Sequence, residues 1–123
     1  YNEKFDITFT IDLDEDLLDT EIPAMLVQPL LENAIKHGVS NLKNRRGKVE
    51  IFVDSLNESW IIIRIKDNGD GRKLDATKSK EHKSAALDII RERLLIYEIQ
   101  GRIGNLQLNF EKDGTESILK IPI

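Results

Sequence analysis

The sequence predicts an α+β fold: a two-layer sandwich in which two helices lie against one sheet. Two observations lead to this prediction. Short stretches with the alternation or apolar character of strands occur in adjacent pairs in the later part of the chain. Two longer stretches have the apolar spacing of helices, and they alternate with the strands in the order β, α, β, β, loop, α, β, β. Paired strands combined with only two helices imply this class.

The first element is a strand. Residues 5–11 read FDITFTI, in which apolar and polar side chains alternate strictly. Such alternation predicts a strand with one buried face. The side chains expected on that face are Phe5, Ile7, Phe9 and Ile11.

The second element is a helix over residues 23–38. Pro23 suits the first position of a helix, and Gly38 suits its C-terminal cap. Pro29 lies inside this span, removes one backbone donor and clashes one turn back. We therefore expect a break at Pro29, with regular helix from about 29 to 37. The expected apolar stripe consists of Val27, Leu31, Ala34 and Ile35.

The centre of the chain holds two strands and a long loop. Residues 48–54 (KVEIFVD) and 60–66 (WIIIRIK) predict strands because they are rich in β-branched residues and flank a turn-like stretch. Residues 68–83 have no apolar periodicity. A loop of this length inside a small domain is unusual, and such loops are often functional lids.

The last part of the chain predicts a helix and a hairpin. The helix covers about 85–100, with Ser84 as N-cap and Gly101 as its end. Two closing strands, about 104–111 and 115–121, are joined by a Lys-Asp-Gly turn. The expected apolar stripe of this helix consists of Ala86, Leu87, Ile90, Leu94 and Tyr97.

The composition excludes several classes of protein. The 123 residues suit one domain, and the absence of cysteine excludes disulfide scaffolds, thiolate metal sites and thiol nucleophiles. No apolar run approaches the roughly 20 residues that span a bilayer. The net charge of −4 disfavours nucleic-acid binding. Because the chain begins at Tyr1, we expect it to be a piece of a longer protein.

The first candidate site is the C-terminal part of the first helix. Glu32 and Lys36, and likewise Asn33 and His37, are four residues apart and would share the polar side of a helix. An asparagine amide oxygen suits Mg²⁺, and a lysine one turn on could reach phosphates bound to that ion. The alternative is an ordinary solvated face with a Glu32–Lys36 ion pair.

Two further candidate sites flank the long loop. Asp67 is followed by glycines at 69 and 71, directly after the strongest strand. The glycines allow a ligand to approach the backbone closely. The carboxylate can accept a hydrogen bond from an exocyclic amine such as adenine N6. The alternative is a simple hairpin, with which the pattern is also compatible. The lysine-rich loop then leads to the helix start at Ser84, which is either an anion site or a solvated basic loop.

These motifs, in this order, resemble the ATP-binding catalytic domain of sensor histidine kinases over essentially the whole chain. Residues 23–38 (PAMLVQPLLENAIKHG) resemble the N box of the LytS-like branch, and residues 66–71 (KDNGDG) are similar to the first glycine box. Residues 90–94 (IRERL) are similar to the segment after the second glycine box, and 114–122 to the closing strand. The resemblance implies the Bergerat fold, with a mixed, mostly antiparallel sheet covered by helices on one face.

The resemblance also implies a role for each candidate residue, with ATP and Mg²⁺ as the ligands. Asn33 would hold Mg²⁺ between the phosphates, and Glu32 would polarise the incoming nucleophile. Asp67 would accept a hydrogen bond from the adenine amine, with Thr115 near the base. The other expected nucleotide contacts are Lys36, His37, Gly69, Gly71, Ser84, Ala86 and Leu87. Residues 72–84 would form the ATP lid.

The implied function is that of the kinase domain in two-component signalling. The domain would present the γ-phosphate of ATP to a histidine on a separate dimerisation segment, which in turn serves a response regulator. Neither His37, in the N box, nor His82, in the lid, suits the role of phosphoacceptor. We therefore expect that the fragment cannot phosphorylate itself. The expected location is the cytoplasmic part of a membrane-anchored sensor, with no direct contact to membrane or nucleic acid.

The chain departs from the family pattern at the second glycine box. Ser84-Ala85-Ala86-Leu87 stands where Gly-x-Gly-Leu is usual. This difference supports an alternative: a degenerate Bergerat domain that binds nucleotide weakly or not at all and acts as a regulatory protein-interaction module. An ATPase of the gyrase or MutL kind and a plain structural domain are further alternatives.

Overall fold

The computed structural model describes residues 7–13, 24–38, 46–69, 88–111 and 114–123. The strands are β1 (Ile7–Leu13), β2 (Gly47–Leu56), β3 (Trp60–Asp67), β4 (Asn105–Glu111) and β5 (Gly114–Pro122). Helix α1 covers Ala24–Asn33 and continues as a π-helical turn, Ala34–Gly38. Helix α2 is described over residues 88–94 and continues as a 3₁₀ turn, Leu95–Tyr97.

The five strands form one sheet in the order β1-β2-β3-β5-β4. β1 pairs parallel to β2, and the other neighbours pair antiparallel. The prediction of a mixed, mostly antiparallel sheet is therefore confirmed. A parallel pair needs a connection that returns to the same end of the sheet, and α1 lies within that connection.

Both helices cover the same face of this sheet. Alternate residues of β2, β3 and β5 are buried, because successive side chains of a strand point to opposite faces. One hydrophobic core joins them to both helices. Its members are Leu26, Leu30, Ala34, Val49, Ile51, Val53, Ile61, Ile63, Ile65, Ile90, Leu94, Leu106, Leu119 and Ile121. The predicted two-layer sandwich is confirmed.

Helix α1 does not break where the sequence predicted a break. It passes through Pro29 as regular α-helix, and the irregularity comes later, in the π-helical turn from Ala34 to Gly38. The described helical structure extends to Gly38, the predicted C-terminal cap. The prediction at Pro29 was wrong because a proline removes one hydrogen bond without preventing the helix from continuing when packing holds both halves, here through Leu26 and Leu30.

The buried face of α1 is centred one residue away from the predicted stripe. Leu26 and Leu30 are 0% and 2% exposed and form the centre of that face with Ala34. Val27, Leu31 and Ile35 pack only partly against the core. Residues 26, 30 and 34 are spaced by four, so they form one row along the helix.

Two predictions about other elements also require correction. Ile11 is 68% exposed, although the sequence placed it on a buried face, because β1 is at the edge of the sheet formed by the described strands. Helical structure after α2 ends at Tyr97 rather than near 100. Gln100 and Gly101 both have positive φ and form a tight turn that joins Ile99 to Arg102.

The end of the sheet where β3 begins is fastened by Arg102. Its guanidinium donates hydrogen bonds to the carbonyls of Ser59, at 2.9 Å, and Ile123, at 3.1 Å. It also lies over the Trp60 ring, with Lys120 on the same ring at 4.3 Å. None of the helices in the described parts of the chain has the length and apolar character that a bilayer crossing requires.

Candidate nucleotide site

Asp67 and Thr115 lie side by side at the other end of the sheet. Asp67 is the last residue of β3, and it is directly opposite Thr115 in the antiparallel pair with β5. Since Ile61, Ile63 and Ile65 face the helices, alternation directs Asp67 to the same side. Thr115 is 7% exposed. The structure therefore places a carboxylate and a buried hydroxyl together on the helix-covered face.

The Asp67 carboxylate is oriented by its own loop. Its Oδ1 accepts a hydrogen bond from the backbone N–H of Gly69 at 2.9 Å. This is the local bond of an Asx turn, in which an aspartate side chain binds a backbone group two residues further on. Gly69 is buried. One carboxylate oxygen is thus held in place while the chain turns away from β3.

Asn68 fastens this loop to the start of β2. Its Oδ1 accepts the N–H of Lys48 at 2.6 Å, and its Nδ2 donates to the carbonyl of Arg46 at 3.0 Å. The backbone N–H of Asn68 also donates to the Lys48 carbonyl at 3.2 Å. The asparagine thus continues the β2–β3 pairing beyond the end of the strand, and it fixes the backbone directly after Asp67.

Gly114 forms the wall behind Asp67. A Cβ atom on Gly114 would overlap the Asp67 carbonyl oxygen and would lie 3.3 Å from the Asn68 Cα. Only a glycine lets β5 begin this close to the backbone of β3. The position of Asp67 therefore depends on a contact between two backbones, in addition to the Asn68 hydrogen bonds.

The C-terminal part of α1 supplies polar side chains above the sheet. Glu32 and Lys36 are exposed and Asn33 is half-buried. The π-helical turn that follows Asn33 packs against β3 and β5, the two strands that carry Asp67 and Thr115. The spacing argument of the sequence assumed an α-helix over 33–37, but the α-helix ends at Asn33. In a π-helix the hydrogen bonds run from i to i+5, so residues four apart are not aligned as in an α-helix.

Several predicted site residues lie outside the described part of the chain. These are Gly71, Ser84, Ala86, Leu87 and the lid over 72–84, together with the side chain of His37. Which of the candidate residues contact a nucleotide stays a prediction.

The chemistry of the described residues fits the groups of ATP·Mg²⁺. A carboxylate with one oxygen oriented by Gly69 can accept a hydrogen bond from an amine. The Asn33 amide oxygen is a hard donor of the kind that Mg²⁺ takes in combination with phosphate oxygens. Within the described ranges, no cluster of three or more histidine, aspartate or glutamate side chains could hold a metal by itself.

Sequence reasoning missed two residues of this site. Asn68 enters the prediction only within the 66–71 segment that resembles the first glycine box, and Gly114 only within the closing turn and strand. The asparagine could have been noticed, because an Asn directly after a strand can hydrogen-bond to backbone groups. The close approach of Gly114 to the backbone of Asp67 could not have been noticed, because it depends on the register between β3 and β5.

The fold is that of the histidine kinase catalytic domain. The histidine kinase domain of the blue-light activated kinase EL346 from Erythrobacter litoralis aligns with a TM-score of 0.68 and 20% sequence identity, over 94% of this chain and 54% of that chain. The predicted fold class is confirmed by this likeness.

Sequence relatives identify the branch. The sensor protein LytS of Staphylococcus saprophyticus is 30% identical in an alignment 131 positions long, gaps included, that covers 99% of this chain and 21% of the relative. The sensor histidine kinase YpdA of Escherichia coli is 30% identical in an alignment of 122 positions that covers 94% of this chain and 20% of the relative. No protein-family model matches the chain. The chain is therefore a homologue of LytS and other sensor histidine kinases, and it spans about a fifth of the length of these two.

Proposed function

We propose that this domain binds ATP·Mg²⁺ and presents the γ-phosphate to a histidine on a separate dimerisation segment of the same kinase. The observation that carries the proposal is the Asp67 carboxylate, oriented by the Gly69 N–H and placed beside the buried Thr115. Homology to sensor histidine kinases supports the kinase role. In this role Asp67 accepts a hydrogen bond from the adenine amine.

The C-terminal end of α1 would bind and neutralise the phosphates of ATP. Asn33 would be a ligand of Mg²⁺, which would neutralise phosphate charge, and the exposed Lys36 would add positive charge beside the phosphates. Such neutralisation and positioning provide most of the catalysis in phosphoryl transfer. A histidine nitrogen forms a bond to the γ-phosphorus, the bond to the β–γ bridging oxygen breaks, and ADP leaves. Glu32 lies on the exposed side of α1, where it can take the proton of the incoming imidazole.

The partners follow from the same reaction. The phosphoacceptor histidine lies on a helical segment that dimerises, and a response regulator receives the phosphoryl group. ATP supply places the domain in the cytoplasm. These statements concern the whole protein. The two relatives described above are about five times as long as this chain.

The test is a calorimetric titration of ATP into the domain, with and without Mg²⁺, for the natural protein and Asp67→Asn. An amide cannot replace the carboxylate as a charged acceptor, so binding should weaken by about 10- to 100-fold. Asp54→Asn is the matched control, because Asp54 is a carboxylate on the neighbouring strand with an exposed side chain. Equal affinity of the natural protein and Asp67→Asn for ATP would refute the adenine role.

A second function has one sequence observation in its favour. Ser84-Ala85-Ala86-Leu87 replaces the usual glycine box, which supports a regulatory module with weak or no nucleotide binding. The same titration distinguishes the two proposals. The absence of heat at millimolar ATP, together with an intact fold by circular dichroism, would support the regulatory module.

A further inference from the structure

Pro29 leaves one backbone carbonyl of α1 without its usual donor. In an α-helix the carbonyl of Met25 accepts a hydrogen bond from the N–H of residue 29. Proline has no N–H, and its ring pushes against the carbonyl four residues back. Pro29 lies well inside α1, so this loss falls in the body of the helix and not at its frayed end.

Arg93 supplies the missing hydrogen bond. Its Nη1 donates to the Met25 carbonyl oxygen at 2.6 Å, across 68 residues of sequence. Arg93 is half-buried on α2 and sits between Ile90 and Leu94, which are 0% and 2% exposed. Because these two aliphatic neighbours anchor α2 in the core, the guanidinium is held at a fixed place beside α1.

We propose that Arg93 is a positioning residue for α1: it replaces the donor that Pro29 removes, and it thereby couples α2 to the helix that carries Glu32 and Asn33. A charged donor makes a stronger hydrogen bond to a carbonyl than a neutral one. The bond joins α2 directly to α1. Its effect on nucleotide binding rests on the proposed function of Asn33.

The pair can be tested because the missing donor can be restored. In Pro29→Ala the backbone N–H of residue 29 can bind the Met25 carbonyl, and Arg93 becomes redundant. Four proteins form a double-mutant cycle: the natural domain, Arg93→Ala, Pro29→Ala and the double variant. Arg91→Ala is the matched control, since Arg91 is an exposed arginine on the same helix.

The first readout is thermal unfolding, which needs no ligand. Arg93→Ala should lower the Tm of the natural domain by about 4 to 8 °C. In the Pro29→Ala background the same substitution should lower Tm by less than half as much. Equal losses in both backgrounds would overturn the proposal, because two independent sites are additive.

The second readout is the affinity for ATP with and without Mg²⁺. Arg93→Ala should weaken Mg²⁺-dependent binding by about three- to tenfold, and the double variant should recover it. The titrations are made well below the Tm of every variant, where a loss of stability alone leaves the affinity of the folded domain unchanged. Unchanged Mg²⁺-dependent affinity in Arg93→Ala would show that Arg93 does not position Asn33. If the natural domain binds no ATP, the proposed function fails, and the thermal cycle alone decides whether Arg93 replaces the donor.

Discussion

Replacing Gly114 by alanine tests whether the backbone wall behind Asp67 sets the geometry of the site. The new Cβ would overlap the Asp67 carbonyl oxygen, well inside the 3.0 Å that real Cβ atoms keep from other atoms. The Cβ is fixed rigidly to the backbone of β5, and the carbonyl belongs to the backbone of β3, so one of the two strand ends must move. Relieving such an overlap costs about 1–3 kcal/mol, which corresponds to a fall in Tm of about 4–12 °C for a domain of this size.

The displacement should also reach the ligand. If the carboxylate loses its hydrogen bond to adenine, the affinity for ATP falls by about 10- to 100-fold. The assay is calorimetric titration of ATP, alongside thermal unfolding of the same sample. Gly104→Ala is the control. Its Cβ would overlap the carbonyl oxygen of Lys120 and lie 3.0 Å from the Leu94 Cδ2. Lys120 is in the half of β5 that is remote from Thr115. Gly104→Ala should lose stability and keep its affinity.

Two results would refute this reasoning. A destabilised Gly114→Ala that binds ATP with natural affinity would mean that the wall does not determine where Asp67 lies. An equal loss of affinity in Gly104→Ala would mean that any strained glycine affects the site, so that the effect reports general instability and not local geometry.

Three further predictions concern individual contacts. Asn68→Ala removes both side-chain hydrogen bonds of the loop, so the free energy of unfolding should fall by about 1–3 kcal/mol. NMR should detect faster hydrogen exchange of the Lys48 amide, and unchanged exchange would contradict the hydrogen bond from that amide to Asn68. Arg102→Lys keeps the charge, but its single nitrogen cannot replace the two guanidinium nitrogens that reach the Ser59 and Ile123 carbonyls, and urea denaturation should show a loss of about 1 kcal/mol. Asp54→Asn should change stability by less than about 0.5 kcal/mol, because its 3.9 Å pair with Arg64 is exposed; a larger loss would reveal unexpected coupling.

The sequence predicted the strands well because their signals are local. The runs at 48–54 and 60–66 became Gly47–Leu56 and Trp60–Asp67, and the closing hairpin has strands close to the predicted limits. Alternation and β-branched content depend only on neighbouring residues, so they can be read without knowing the fold. The placement of Asp67 at a strand end followed directly from these limits.

The missed features depend on contacts between distant parts of the chain. No local pattern indicates that α1 continues through Pro29, since the replacement donor, Arg93, comes from another helix. The exposure of Ile11 depends on the order of strands, which places β1 at an edge. The role of Asn68 requires the start of β2 beside the end of β3. Each needs the tertiary structure before it can be stated.

The stacking of two cations on Trp60 has a spectroscopic consequence. Trp60 is the only tryptophan, and it begins β3 while Asp67 ends it. A strand residue advances about 3.3 Å, so the indole lies some seven residues, or about 23 Å, from Asp67 along the strand. Indole emission should therefore respond to Arg102 and Lys120 leaving the ring as the domain unfolds, and it should stay constant while ATP is added to the folded domain. Fluorescence melts thus measure the stability of every variant above separately from its nucleotide affinity.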